Sequence, residues 1–315
     1  MSSGGRRRRG KAISGVLVLD KPLGWTSGLA VSRIKRLFDA RKVGHTGSLD
    51  QLATGVLPLC FGEATKLSGF LLDSDKHYEV RIRLGVRTDS GDAEGKVLRS
   101  VALDAFSIDE AKIDAALDQF RGPIDQVPPM YSAVKREGQP LYKLARKGIE
   151  VEREPRPVEI FRNEITHFDG QDVSLRIECS KGTYIRTIAD DLGELLGCGA
   201  HVIELRRTKA GPFGIAECVL FDDLKARKAE GAEMLLREIR PSACAVQAFP
   251  RVDLTNAGLW HVRHGQPVMV PRAPSEGWVR LHEDGLGDNG FVGVGEVLDD
   301  GRIAPRRMIA GGPAS

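Results

Sequence analysis

The sequence predicts an α+β chain with a small β unit appended at its end, and three observations predict it. Segments that alternate apolar and charged residues, as half-buried strands do, are interleaved with segments whose apolar side chains recur at helical spacing. The composition, 41% hydrophobic and 28% charged over 315 residues, is that of an ordinary globular protein with chain enough for one large domain and a small one. After about Pro241 the character changes to short segments parted by Gly, Pro and Asp.

The elements follow in order. GVLVLD at 15–20 reads as a short buried strand, ended by the turn KPLGWTS, and Thr26 or Ser27 caps the next helix. That helix sets Val31, Ile34, Leu37 and Phe38 on one face and Arg33 and Arg36 on another. A glycine-rich loop at 44–55 precedes the apolar strand VLPLCF and a helix from Lys66 to Leu72. HYEVRIRLGV, 77–86, alternates Tyr78, Val80, Ile82 and Leu84 against charged residues, so its apolar face begins with Tyr78. RTDSGDAEGK is a turn-rich connection. SIDEAKIDAALDQFRG is a helix in which Ser107 and Glu110 form a capping box and Gly122 closes the C-terminus. QDVSLRIECS is a strand, TYIRTIADDLGELLG a helix ending at Gly197, and HVIELRRT another strand. RVDLTNAGLW, GQPVMV, GWVRLHE, GFVGVGEVL and RIAPRRMI then suggest four or five short strands in a small barrel or sandwich, with a boundary near residue 248.

The same numbers exclude several classes. No run approaches the roughly 18 consecutive apolar residues of a membrane span, and the nearest, GVLVL, is closed by Asp20 and Lys21. The basic opening is not followed by an apolar stretch with a small-residue cleavage site, so the expected compartment is the cytoplasm. Five cysteines without CxxC spacing read as reduced thiols. His261 and His264 can share a helix face, yet no further ligand lies at metal spacing, so no metal is implied. Net charge is only +3, but Arg6 to Arg9 with Lys11, and Arg33, Lys35, Arg36, Arg41 and Lys42, form blocks suited to phosphate contacts or to a solvated surface.

Asp50 sits inside GHTGSLDQLATGVLPL. Gly44, Gly47 and Gly55 permit close backbone approaches, so a bulky substrate could lie against this loop with Asp50 at its tip. An Asx-type turn, in which Asp50 bonds its own backbone, explains the same residues. A phosphate-binding P-loop does not, because no GK[ST] follows at the required spacing.

Five longer stretches decide more. GVLVLDKPLGWTS, GHTGSLDQLATGVLPLCFGEATK, KHYEVRIRLGVRTDSGDAEG, PPMYSAVKREGQPLYKLARKG and CSKGTYIRTIADDLGELLGCGAHVIELRR, in that order, closely resemble the TruB family, the bacterial tRNA pseudouridine synthases that modify the TΨC loop. The resemblance covers residues 13 to 210 strongly and the C-terminal segment more loosely. It implies a pseudouridine-synthase fold: a mixed, mostly antiparallel central sheet flanked by helices, with the cleft across its centre. It also implies a basic tail at 1–12, a catalytic domain at 13–248, and a PUA-like RNA-binding domain at 249–315 that meets the acceptor arm.

The implied activity is isomerisation of uridine to pseudouridine at position 55 of the tRNA TΨC loop. By resemblance Asp50 is the nucleophile, Tyr78 contacts the target base and takes part in proton transfer, and Arg186 pairs with Asp50. Leu205 packs against the uracil, His45 helps hold the RNA loop in its extruded form, and Lys21 and Tyr184 line the substrate site. Arg33, Lys35 and Arg36, with Arg206 and Arg207, are candidates for the RNA backbone. The family usually carries proline where this chain has Gln51.

The chemistry agrees with these roles. Moving the ribose bond from N1 to C5 changes no oxidation state and adds no group, so no cofactor is needed; an ionised, close and partly shielded carboxylate is. Arg186 beside Asp50 is expected to keep it charged by lowering its pKa. The expected partner is tRNA through its T-arm stem-loop, with the acceptor arm in reach, and the chain is expected to work as a monomer without an obligate protein partner or membrane. The same surfaces would also suit a tRNA-binding folding chaperone with secondary isomerase activity.

Overall fold

The computed structural model describes residues 10–310, so the Arg6 to Arg9 tract lies outside the described residues. β1 (Gly15–Lys21) is buried along nearly its whole length, as the unbroken GVLVL run requires of a strand covered on both faces. In α1 (Ser27–Leu37) the Thr26 hydroxyl accepts from the Leu29 amide at 3.1 Å, a cap worth about 1 kcal/mol. The helix turns Ala30 and Ile34 inward and leaves Arg33, Lys35 and Arg36 exposed. β2 (Val43–His45) then pairs Gly44 and His45 with Cys60 and Leu59 of β3 (Ala53–Phe61). The loop expected from residue 44 is therefore shorter, because its first two residues are captured by the sheet.

A 3₁₀ turn leads into α2 (Ser68–Leu72) and then β4 (Lys76–Leu84). β4 buries alternate residues as expected, but its inward face begins with Lys76 rather than Tyr78. The RTDSGDAEGK connection closes a hairpin of β5 (Val86–Thr88) and β6 (Val97–Ser100). In α3 (Glu110–Leu117) the cap is Asp109, accepting from Lys112 N at 2.8 Å, and not the expected Ser107 box. Asp109 is the better-placed acceptor because Glu110 is already the first helical residue. Gly122 does not close this helix; at φ +80° it opens β7 (Gly122–Gln126).

A small hairpin, β8 (Lys135–Arg136) and β9 (Gln139–Pro140), precedes α4 (Leu141–Ala145). β10 (Arg156–Phe168), β11 (Asp172–Cys179), α5 (Ile185–Leu195), β12 (Ala200–Ala210) and β13 (Phe213–Gly214) follow, then α6 (Phe221–Glu230) and α7 (Ala232–Leu236).

The large sheet has nine strands, with a main order β1-β3-β12-β4-β11-β10-β7 and with β2 and β13 attached to β3 and β12. Only β3 and β12 run parallel; every other pair is antiparallel. The mixed, mostly antiparallel sheet thus forms as expected. Its main core joins Leu17, Leu57, Val80 and Ile177 of the strands to Ile34 of α1, Leu117 of α3 and Ile188 and Leu192 of α5.

The last segment forms one four-stranded sheet rather than a barrel or sandwich: β14 (Arg251–Leu254), β15 (Trp278–Glu283), β16 (Phe291–Val297) and β17 (Ile303–Met308), in that order. RVDLTNAGLW divides, since Thr255 caps α8 (Asn256–Arg263) by accepting from Gly258 N. GQPVMV contributes only a bridge from Val268 to Ile303. The two sheets are firmly joined. Phe70 meets Phe249 and Trp278 edge-on at centroid distances of 5.1 and 5.0 Å, contacts worth about 0.5–1.5 kcal/mol each beyond burial. Lys66 Nζ donates to Met308 O at 2.9 Å, and Ala310 N donates to Glu63 Oε2 at 2.9 Å.

Candidate active site

The parallel junction of β3 and β12 lies inside the large sheet, between β1 and β4, and the 46–52 loop comes directly before it. That loop is tied down along its length. Thr46 donates to Pro58 O through its amide and its hydroxyl, each at 3.2 Å. The Ser27 hydroxyl accepts from Leu49 N at 2.8 Å and donates to Leu49 O at 3.1 Å. Gly24 N reaches Gln51 O at 3.0 Å, and Ala53 N closes a turn on Asp50 O at 3.2 Å. Asp50 therefore projects from a fixed backbone.

Arg186 comes from the first turn of α5, whose start is set by Gln126. The Gln126 side chain accepts from Tyr184 N at 2.7 Å and donates to Tyr184 O at 3.1 Å. Arg186 Nε stands 2.9 Å from Asp50 Oδ2, and Nη2 lies 3.3 Å from Oδ1. The remaining donors go to Ser90 O and Tyr131 O, both at 2.8 Å, so the guanidinium, only 5% exposed, is held on every side. Asp50 keeps one side open, with 41% of its side chain accessible.

Burial pushes the Asp50 carboxyl above the ordinary carboxylate range, Arg186 pulls it down, and Asp92 raises it further. Arg186 thus lowers this carboxyl as expected, against the larger opposing effect of desolvation. Asp92 was not singled out in the sequence, where SGD reads as a turn. It is buried, accepts from Ser90 Oγ at 2.5 Å and Glu94 N at 3.1 Å, and reaches Arg186 Nε at 3.7 Å.

Tyr78 and Leu205 face the same side of the sheet. Leu205 is in register with both Ala53 and Val80, and Tyr78 with Arg207. Both are buried, and burial raises the Tyr78 phenol, which stays protonated at neutral pH. Tyr184 is half-buried and its phenol is raised for the same reason. Burial and the Arg207 charge lower the pKa of His45, and its buried Nδ1 has no hydrogen-bond partner. Lys21 is fully buried, with Nζ donating to Trp25 O at 2.6 Å and Pro22 O at 3.1 Å, and burial lowers its pKa to about 8. Its charge is felt by Asp50, which in turn raises the Lys21 pKa.

The five backbone candidates separate. Arg33, Lys35 and Arg36 are exposed and, among the described residues, enter no ion pair; Arg33 stacks over Trp25 at 4.4 Å. Arg206 is engaged by Asp20 at 2.6 and 3.2 Å. Arg207 is 1% exposed and donates inward, so it cannot grip a phosphate. Arg207 is thereby corrected as a backbone candidate, since β12 is flanked on both sides and this side chain folds inward; Arg206, 38% exposed, stays at the surface beside Asp20.

Three family profiles match successive parts of the chain. The TruB family pseudouridylate synthase N-terminal domain matches residues 35–185, the tRNA pseudouridylate synthase B C-terminal domain residues 186–247, and the pseudouridine synthase II TruB C-terminal domain residues 250–309. A tRNA pseudouridine synthase B of Pseudomonas fluorescens (strain Pf0-1) is 53% identical over 96% of this chain and 98% of its own length. This chain belongs to the TruB family. As a TruB protein it is an isomerase that forms pseudouridine. The tRNA pseudouridine synthase B of Nitrosococcus oceani is 51% identical over 96% of this chain and 97% of its own. Among solved structures, a chain of a Cbf5-Nop10-Gar1 complex superimposes with a TM-score of 0.70 at 27% identity, over 95% of this chain and 84% of that one. A chain of an H/ACA RNP bound to a substrate RNA containing 2'-deoxyuridine shares the TruB fold, with a TM-score of 0.72 at 24% identity over 98% and 92% of the two chains.

Proposed function

We propose that this TruB enzyme isomerises the uridine at position 55 in the TΨC loop of tRNA, with Asp50 as the attacking group. The observation that carries the reading is the Asp50 to Arg186 pair at 2.9 Å, open on one side and bordered by Tyr78 and Leu205 on the adjoining strands. The N1 to C1′ bond breaks, the base turns, C5 bonds to C1′, and the C5 proton leaves as N1 regains one. Asp50 serves this by attack at C1′ of the ribose or at C6 of the uracil. Tyr78, buried and protonated at rest, is placed to take part in that proton transfer.

A uridine inside a folded loop must leave its stack, at a cost of a few kcal/mol. The neutral His45 ring, with its unpartnered Nδ1, suits stacking and hydrogen bonding to exposed bases. Arg33, Lys35 and Arg36 offer uncompensated charge to the T-arm phosphates. In this reading residues 13–248 carry the chemistry, and the sheet within 249–315 is a PUA-like module for the acceptor arm. The protein works as a cytoplasmic monomer without cofactor. No helix among the described residues is long and apolar enough to cross a membrane.

A second reading, a tRNA-folding chaperone with isomerisation secondary, draws on those same unpaired cations, which would hold RNA without Asp50. Asp50→Asn separates the two. On a T-arm stem-loop it should abolish pseudouridine formation and leave RNA affinity and its salt dependence intact. Isomerisation retained by this variant would exclude Asp50 as the attacking group, and a parent chain inactive on every tRNA would leave the chaperone.

A further inference from the structure

Three cations lie buried around the 47–50 segment: Lys21 from β1, Lys76 from β4 and Arg207 from β12. Among the described residues none of them forms an ion pair with a carboxylate. Lys76 Nζ donates to Leu71 O and Leu72 O at 3.2 and 2.7 Å, and so caps the end of α2, as Lys21 caps the KPLGW turn. Burying a charge without a counter-charge is unfavourable, so each such group calls for a reason. The two lysines hold their own local turns. Arg207 does something else.

Its donors spread over the catalytic loop and the strand that follows it. Nε donates to Val56 O at 2.7 Å, Nη2 to Gly47 O at 3.2 Å, and Nη1 lies 3.5 Å from Ser48 O. Gly47 holds its carbonyl toward Arg207 at φ +117°, a backbone conformation that a side chain strains, although a Cβ there would meet Nη1 at an ordinary 3.6 Å. A planar guanidinium spreads its donors at fixed angles over two stretches of chain, whereas an ammonium gathers its three on a single atom. The charge of Arg207, register-paired with Tyr78, lowers the phenol's pKa against the larger effect of burial.

We propose that Arg207 is a positioning residue of the active site: its guanidinium clamps the Gly47 and Ser48 carbonyls so that Asp50, two residues on, stands against Arg186 in reach of the substrate. The inference rests on the reading of Asp50 as the attacking group. It assigns Arg207 no contact with RNA, and its 1% exposure allows none.

The test compares Arg207→Lys, Gly47→Ala and the double variant with the parent chain, by single-turnover isomerisation of a T-arm stem-loop and by the Kd for the same RNA. Each single variant is expected to slow the rate by roughly 100-fold, the scale of a misplacement of about 1 Å at a reacting group. Affinity should stay within about threefold, and the double variant should be no slower than the slower single, because both break one contact. A parent-like rate in Arg207→Lys, a loss confined to Kd, or losses that multiply would each overturn the clamp. If Arg207→Lys does not melt cooperatively, Gly47→Ala decides alone, and a parent rate there overturns it. Isomerisation retained by Asp50→Asn overturns both readings, whereas an inactive Asp50→Asn beside a fully active Arg207→Lys overturns Arg207 only.

Discussion

Asp92 Oδ2 lies 3.7 Å from Arg186 Nε, the same nitrogen that stands 2.9 Å from Asp50. Two carboxylates therefore share one guanidinium, and the charge of one is felt by the other. Asp92→Asn keeps the side-chain shape but removes that charge. Turnover should fall by roughly 10- to 100-fold as Arg186 loses an anchor. The acid limb of kcat/KM should move to lower pH, because Asp92 is one of the groups that raise Asp50. A limb that stays put or moves upward would show that Asp92 does not act on Asp50.

In the parent enzyme the acid limb should lie above the ordinary aspartate value of about 3.9, since burial disfavours the ionised form that attacks. The same shift has a stability sign. With the folded pKa raised, Asp50 favours the folded state below its unfolded pKa, and that contribution is lost as pH rises through the folded value. Asp50→Asn should thus melt no lower than the parent at pH 7, and the two curves should converge in acid. A variant clearly less stable at pH 7 would contradict the shift.

Gly55 sits at φ +100° where β3 passes β12, and a Cβ there would fall 2.2 Å from Arg207 O and 2.9 Å from Arg207 N. Strain and overpacking together should cost Gly55→Ala roughly 2–5 kcal/mol, read as a lowered urea midpoint. A midpoint equal to the parent's would mean that the parallel junction can open without penalty.

Gln51 stands where the family usually has proline. Its carbonyl accepts from Gly24 N, but its own amide donates to no group among the described residues. Gln51→Pro therefore gives up no hydrogen bond and should be neutral or stabilise by about 0.4–1 kcal/mol through the unfolded chain. A lowered melting temperature would show that the Asp50 backbone cannot take the extended conformation that precedes proline.

Much of the fold was legible because its central strands and α5 carry clean periodicities. β10 was not, since RPVEIFRNEITHF leaves more than half of its residues exposed and mixes charge throughout. α8 was hidden by its length of eight residues and by the strand that runs straight into it. Within the site, the pairing of Asp50 with Arg186, 136 residues apart, followed from family resemblance, because no local pattern encodes it. Asp92 and Lys76 escaped, as did the burial of Arg207. Charged residues are seldom fully buried unless paired, so a sequence offers no cue that two cations will be buried against backbone carbonyls.

The seam between the two sheets bears on what can be a substrate. Phe70, Phe249 and Trp278 interlock there, and Lys66 and Glu63 bond directly to the last strand and the residues after it. The span from Asp50 to the outer face of the second sheet is therefore built in, not left to a tether. In the proposed reading, an RNA that touches both must bring two features to that separation, so its length would select it as well as its base.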